Sequence, residues 1–166
     1  MVKNIFDIHR PGMKEMFANY GLAMLRASFV EKTLMLLLVA INQLGKPEVP
    51  LDKIQSVIYS DNKKTFGQLL NKLKTKITLS LDLEKEIEKA VSERNFLTHH
   101  FFFQNREILV SGNVAPLSNK LQQIGDYFLG VHPKLDDLLD KFLEQYHIPY
   151  EKVDHEVMEL LLKESS

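Results

Sequence analysis

Apolar residues recur every three or four positions through most of the 166-residue chain, which is the spacing of α-helices rather than β-strands. The first such stretch runs from Lys14 to Leu44 and is followed by Gly45 and Pro47, residues typical of the end of a helix. The same spacing predicts further helices over Leu51–Tyr59, Lys64–Leu73, Ser80 to about Gln104, Pro116 to about Val131, Lys134–Tyr146 and Tyr150–Lys163.

Local signals refine the ends of these helices. Ser80 is a candidate N-cap, and acidic residues follow it in the first turn, where the helix dipole favours them. The segment EILVSGN, residues 107–113, is strand-like, and its SGN predicts a turn. Pro133 is expected to break or kink the helix that opens at Pro116. The pattern therefore predicts an all-α fold, a single helical domain over residues 1–166.

The amino-acid composition excludes several kinds of functional site and partner. With 45% apolar and 26% charged residues, the chain is an ordinary globular protein, and its net charge of −1 gives no overall basic field for nucleic acid. It contains no cysteine, which excludes disulfides, thiolate metal sites and cysteine nucleophiles and fits a reducing compartment. Its longest apolar run, Leu34–Ile41, is too short to span a bilayer. We therefore expect a cytoplasmic protein with no membrane partner, no metal and no cofactor.

One stretch is strongly basic despite the balanced total. It has five lysines and no acid among them: Lys63, Lys64, Lys72, Lys74 and Lys76. Such a cluster could contact RNA phosphates. The alternative is a solvated helix face, which is the usual role of a run of charges.

The segment SERNFLTHHFFF, residues 92–103, combines an arginine, two histidines and four phenylalanines at the end of one predicted helix. At about 100° per residue, one stripe of this helix is apolar. Arg94 falls within that stripe, and Asn95 shares a flank with His99. The stripe packs on the rest of the chain, and Phe96, Phe102 and Phe103 lie on another face of the helix. Because so much aromatic surface is unusual in water, we expect a second copy of the chain to cover this face. The residues of the stripe are Leu83, Ile87, Ala90, Val91, Leu97 and Phe101.

The run Arg94-Asn95-Phe96-Leu97-Thr98-His99 resembles the R-N-x-x-x-H signature of HEPN-domain proteins. The resemblance extends over about Met13 to Tyr146 and is sharp only over Glu93–Phe101. HEPN proteins are small α-helical bundles that usually dimerise, and many are metal-independent endoribonucleases of toxin–antitoxin, phage-defence or RNA-processing systems. The resemblance implies a HEPN-like bundle of long antiparallel helices and short accessory helices. Its core would span about 13–146, with a helical extension at about 150–164.

The resemblance also implies a site, with Arg94 and His99 as the catalytic pair and Asn95 in support. Histidine is the side chain best suited to move protons near neutral pH while the RNA 2′-hydroxyl attacks phosphorus. Arginine offers a permanent charge and paired donors for the phosphate oxygens. A homodimer formed through the motif helix would bring two such pairs together. His100 and Thr98 are secondary candidates, and an antitoxin protein is an implied partner.

Other interpretations of the same residues stay open. Arg94 could be a structural charge paired with Glu31, which interrupts the apolar stripe of the first helix. His99 and His100 could be packing or interface residues, and the surface could bind RNA, a nucleotide or a partner protein without cutting. Phe101 stands where HepT-like toxins carry the tyrosine that an antitoxin nucleotidyltransferase adenylylates. Because phenylalanine has no hydroxyl, that modification is not expected here.

Overall fold

The computed structural model describes residues 8–43 and 65–145, and these residues form helices without any β-strand. The elements are α1 (Met13–Gln43), α2 (Phe66–Lys74), α3 (Leu81–Asn95), a π-helical turn (Phe96–His100), α4 (Phe101–Gln104), α5 (Arg106–Ser111) and α6 (Ala115–Gln145). The all-α prediction is confirmed. The helices expected at Leu51–Tyr59 and Tyr150–Lys163, and the extension at about 150–164, lie outside the described residues.

The chain divides into two compact units. Of the described residues, 8–29 and 86–131 belong to the first unit, and 30–43, 65–85 and 132–145 belong to the second. The motif segment therefore lies in the first unit, together with the N-terminal part of α1 and the N-terminal part of α6. The single domain expected over the whole chain stays a prediction.

Within the first unit, α3 and the motif segment that follows it run antiparallel to α1 on one side and to α6 on the other. Tyr20 of α1 contacts Leu97 and Phe101, whereas Phe17, one turn earlier, contacts Phe102. On the other side, the Tyr127 hydroxyl donates to the main-chain carbonyl of Glu86 at 2.8 Å. The core between these helices is apolar and includes Met13, Met16, Ala23, Ile87, Ala90, Leu97, Phe101, Leu121, Ile124 and Phe128.

In the second unit, one stretch of α1 is buried on every side. All eight side chains of Leu34–Ile41 are buried, as expected for a helix that is apolar all round. α2 begins with a capping box, because the Thr65 N–H donates to the Gln68 side chain at 2.9 Å while the Gln68 N–H donates to the Thr65 hydroxyl at 3.3 Å. The buried face of α2 consists of Phe66, Leu69, Leu70 and Leu73.

The predicted start of α3 is confirmed. Leu81 is its first residue, and the Leu83 N–H donates to the Ser80 hydroxyl at 3.3 Å, which is the bond of an N-cap. The acids Asp82 and Glu84 lie in the first turn.

The strand-like interpretation of EILVSGN is wrong. Residues 106–111 form the short helix α5, which ends at Gly112 with a φ of 83°. The Arg10 guanidinium donates to the carbonyls of Leu109 and Val110 at 3.1 and 3.0 Å, so a distant residue satisfies the end of this helix. The β-branched composition of the segment could not reveal that contact, although the turn predicted at SGN is confirmed.

Pro133 does not break the helix, so that part of the prediction is wrong, and the alternative of a kink stays a prediction. α6 begins at Ala115, passes through Pro133 and continues to Gln145. Proline inside a helix costs about 3 kcal/mol because it removes a hydrogen bond and crowds the preceding turn. Leu135, Leu139 and Leu143 are buried at four-residue spacing after it. Burial of this apolar stripe offsets the local cost.

Candidate functional site

The motif segment is not a regular α-helix. The predicted helix does extend to Gln104, but it widens into a π-helical turn over Phe96–His100. There the Phe101 N–H donates to the Phe96 carbonyl, whereas an α-helix would direct it to Leu97. Single π-turns inside α-helices are rare and frequently mark functional sites. The turn begins directly after Arg94 and Asn95 and carries both motif histidines.

Two hydroxyl groups bind main-chain carbonyls at this turn. The Tyr20 hydroxyl of α1 donates to the Leu97 carbonyl at 3.1 Å, and the Thr98 hydroxyl donates to the Arg94 carbonyl at 2.9 Å. Burial raises the pKa of Tyr20, which keeps its phenol protonated and able to donate. Both bonds therefore favour the altered helix register.

The two histidines face solvent. His99, His100 and Thr98 are exposed, while Leu97 and Phe101 on the opposite side are buried, as the apolar stripe predicted. The ring centroids of the two histidines lie 6.2 Å apart. Neither histidine is a core residue, so the packing role considered for them within this chain is wrong.

Arg94 and Asn95 are the last two residues of α3, and both are half-buried. They therefore lie in the regular α-helix, directly before the π-helical turn. Glu31 is half-buried in α1 and belongs to the second unit. Its expected pairing with Arg94 stays a prediction.

The aromatic residues do not form the outward face that the sequence suggested. Phe102 packs inward, with its ring centroid 4.9 Å from Tyr20 and 6.1 Å from Phe17. Phe96 is half-buried, and the Lys120 ammonium lies 4.1 Å from its ring centroid. The expectation is therefore wrong for Phe102, because the aromatic side chains of α1 cover that flank. Of the three, Phe103 is the ring left open to solvent, at 73% exposure.

Arg106 is a candidate residue that the sequence analysis missed. Its guanidinium carbon lies 5.6 Å from the Phe103 ring centroid, and its side chain is exposed. Because α4 ends at Gln104 and α5 begins at Arg106, no spacing within one predicted helix could have revealed this contact.

The three described lysines of the cluster, Lys72, Lys74 and Lys76, do not form a continuous basic patch. Lys74 forms an ion pair with Glu84 in the first turn of α3, so an acid outside the lysine run neutralises part of it. Lys72 is half-buried and Lys76 is exposed, while Lys63 and Lys64 lie outside the described residues. This arrangement favours the solvated-face interpretation of the described lysines.

A small open cleft of about 70 Å³ lies elsewhere in the first unit, between α1 and α6. The ion pair of Arg26 with Asp126, at 2.8 Å, lies in its wall. The residues that line the cleft include none from the motif: Asn19, Leu22, Ala23, Arg26, Leu121, Gln122, Gly125 and Asp126. Among the described residues, no group of three or more histidine and acidic side chains is placed to hold a metal ion.

The chain matches no protein-family model, no curated protein and no solved structure. Within residues 8–43 and 65–145, no helix combines the length and the hydrophobicity needed to cross a membrane.

Proposed function

We propose that this protein is a HEPN-like endoribonuclease that cuts RNA without a metal ion. The observation that carries the proposal is the π-helical turn over Phe96–His100, which follows Arg94 and Asn95 directly and holds His99 and His100 in solvent. This exposure leaves both imidazoles accessible to a substrate, as a catalytic imidazole must be.

The reaction uses the RNA's own 2′-hydroxyl. Its oxygen attacks the neighbouring phosphorus while the bond from phosphorus to the 5′-oxygen breaks, giving a 2′,3′-cyclic phosphate and a free 5′-hydroxyl. His99 accepts the proton of the 2′-hydroxyl or donates one to the leaving oxygen. The Arg94 guanidinium stabilises the negative charge that accumulates on the phosphate oxygens.

The neighbouring residues hold this pair in place. The Thr98 hydroxyl already donates to the Arg94 carbonyl, so Thr98 is a positioning residue. The Asn95 amide supports catalysis by orienting an imidazole or by binding a phosphate oxygen. His100 is rotated away from the flank shared by Asn95 and His99 and takes a secondary role.

Assembly of two copies completes the site in this proposal. One histidine cannot act as base and acid in the same step, and a two-fold axis near the motif segments would supply a second His99 and a second Arg94. Analytical ultracentrifugation at micromolar concentration should show a homodimer. A monomer that cuts RNA at a normal rate would contradict the shared site.

Cleavage of a defined single-stranded RNA in the presence of a chelator tests the proposed activity. We expect 2′,3′-cyclic phosphate ends by mass spectrometry from the wild-type protein and none from His99→Ala. Cleavage that requires an added divalent metal would contradict the mechanism. RNA binding without cleavage would instead favour a binding module built on the same surface.

A toxin or phage-defence role, with an antitoxin as partner, would follow from the same activity. We expect expression of the wild-type protein to arrest bacterial growth and His99→Ala to relieve that arrest. Equal arrest by both proteins would contradict a role based on RNA cleavage.

A further inference from the structure

Phe103 is an aromatic residue that the core of its unit does not use. It follows two phenylalanines that pack inward, yet it remains 73% exposed. An exposed ring of this size keeps apolar area in water that burial would stabilise. A ligand that covers the ring would recover that stabilisation.

The ring has a cationic neighbour and exposed polar residues close to it in the sequence. His99 and His100 precede Phe103 by four and three residues, and all three side chains are exposed. The Arg106 guanidinium carbon lies 5.6 Å from the Phe103 ring centroid. The sequence from Arg94 to Arg106 contains no acidic residue. A ligand bound here should therefore combine a flat π-system with negative charge.

We propose that Phe103 and Arg106 form a stacking platform for an unpaired base of single-stranded RNA, next to the scissile phosphate. This inference rests on the proposed nuclease function and identifies its substrate as single-stranded. Bases stack on exposed aromatic rings largely without regard to sequence, and arginine adds a contact to the base or to the phosphate. Single strands and loops are the parts of RNA whose bases are free to stack in this way.

Spacing connects the platform with cleavage. Phe103 follows His99 by four residues along the same helical segment, so a base stacked on this ring would lie close to the catalytic histidine. Double-stranded RNA, whose bases are already stacked on each other, could not use the ring. The platform therefore predicts cleavage in loops and single strands and protection of the same sequence in a duplex.

The surface suits RNA better than a protein partner. Contiguous apolar patches larger than several hundred Å² mark sites of hydrophobic protein–protein contact. Here the exposed ring lies beside the Arg106 guanidinium, and Phe102 is withdrawn against Tyr20 and Phe17. One ring beside a guanidinium matches a nucleotide in size and charge.

The absence of tryptophan from the chain allows a direct test. Phe103→Trp would place a single fluorophore on the platform while keeping an aromatic face. The probe is a short single-stranded RNA with 2′-O-methyl groups, which cannot be cut by attack of its 2′-oxygen. We expect saturable quenching of the tryptophan emission by this probe. The matched control is Leu81→Trp, because Leu81 is 74% exposed but lies in the second unit, and no quenching is expected there.

Affinity measurements on the otherwise unmodified chain complete the test. Phe103→Ala should weaken binding of the methylated RNA by about tenfold, the scale of one base–aromatic stack. Phe103→Tyr should retain binding, and Arg106→Ala should weaken it in a salt-dependent manner. Binding unchanged in Phe103→Ala, or quenching equal to that of the Leu81→Trp control, would overturn the proposal. A blue shift of the Phe103→Trp emission that rises with protein concentration and is unaffected by RNA would overturn it in favour of an interface between copies.

The readouts separate this inference from the nuclease proposal. Stacking of methylated RNA without cleavage of ordinary RNA would support the platform and contradict the nuclease. Cleavage of ordinary RNA with an unchanged KM in Phe103→Ala would support the nuclease and contradict the platform.

Discussion

The Tyr20 hydroxyl donates a hydrogen bond of 3.1 Å to the main-chain carbonyl of Leu97, at the turn where the Phe101 N–H has moved to the Phe96 carbonyl. An α-helix would have paired Leu97 with Phe101. A side chain of α1 therefore binds a carbonyl whose usual helical donor points elsewhere. This contact connects a residue far away in sequence to the register of the motif segment.

Tyr20→Phe should destabilise the protein by about 1 kcal/mol, the net contribution of a typical hydrogen bond, because it removes that donor and keeps the ring contacts. It should also reduce RNA cleavage, since the π-helical turn loses a contact that favours it. Chemical unfolding and the cleavage rate measure the two effects.

Tyr127→Phe is the matched control for Tyr20→Phe. It removes a hydroxyl that donates to the Glu86 carbonyl in the regular part of α3, at 2.8 Å. We expect a similar loss of stability with little change in cleavage. Equal loss of activity in the two variants would contradict a specific role of Tyr20 at the turn.

Alkaline pH should lower the free energy of unfolding through these two tyrosines. Burial raises the pKa of both Tyr20 and Tyr127, and Glu86 and Glu93 raise that of Tyr127 further. A phenol whose folded pKa exceeds its unfolded pKa of about 10 stabilises the protein fully below that pH. The contribution is then lost as the pH rises through the higher folded pKa.

Urea unfolding at about pH 9 and about pH 11 measures this loss. A variant carrying both Tyr20→Phe and Tyr127→Phe should lose less stability between the two pH values than the wild-type protein. Lysines titrate in both proteins, so the difference isolates the two phenols. An identical loss would contradict the inferred shifts.

His99→Ala should abolish RNA cleavage, and His100→Ala should reduce it less. Both side chains are exposed, so each substitution should change the free energy of unfolding by no more than about 0.5 kcal/mol. Circular dichroism and unfolding measure whether each variant folds, and the cleavage rate measures its activity. The same loss of activity from both substitutions would contradict the choice of His99.

The sequence predicted features that depend on local chemistry and burial. The start of α3 at Leu81 follows from the Ser80 cap, and the burial of Ile87, Leu97 and Phe101 follows from helical periodicity. These signals act within a few residues of chain, where one sequence carries all the information needed.

The sequence did not predict the features that depend on contacts between residues far apart in the chain. The π-helical turn accompanies the Tyr20 hydroxyl, the helix α5 is capped by Arg10, and Phe102 packs onto α1. No pattern within the motif segment or within residues 106–111 records these partners. The exposure of His99 was predictable from its position beside the apolar stripe, whereas the altered register beneath it was not.

Gly112→Ala should destabilise the protein by about 1–2 kcal/mol. Gly112 has a φ of 83°, a left-handed conformation that costs other residues about that much. An added Cβ would also collide with the Arg10 guanidinium, which binds the end of α5. Thermal unfolding measures the loss.

Gly21→Ala is the control, and it should act in the opposite direction. Gly21 lies inside α1, and an added Cβ would meet no atom within 4 Å. Replacing a helical glycine with alanine should stabilise the protein by about 0.5–1 kcal/mol. Destabilisation of both variants to the same extent would contradict the special role of the turn at Gly112.

Arg94→Lys distinguishes a catalytic role of Arg94 from a structural role. Lysine keeps the positive charge but loses the planar donors that bind two phosphate oxygens together. Because Arg94 is half-buried at the end of α3, we expect a folded variant with an unchanged oligomeric state and without RNA cleavage. Full activity would contradict the bidentate role, and loss of folding would favour a structural arginine.

A double-mutant cycle with Glu31→Gln tests the pairing that the sequence predicts for Arg94. If the two side chains interact, the stability losses of Glu31→Gln and Arg94→Met, which removes both the charge and the donors, should be non-additive by about 0.5–3 kcal/mol. Glu31→Gln alone should then lower the cleavage rate, because the guanidinium would lose the carboxylate that orients it, and Glu31→Asp should recover part of that rate. Additive stability losses would show that Glu31 does not hold Arg94. The cleavage measurements would then attribute any catalytic role to the arginine without this support.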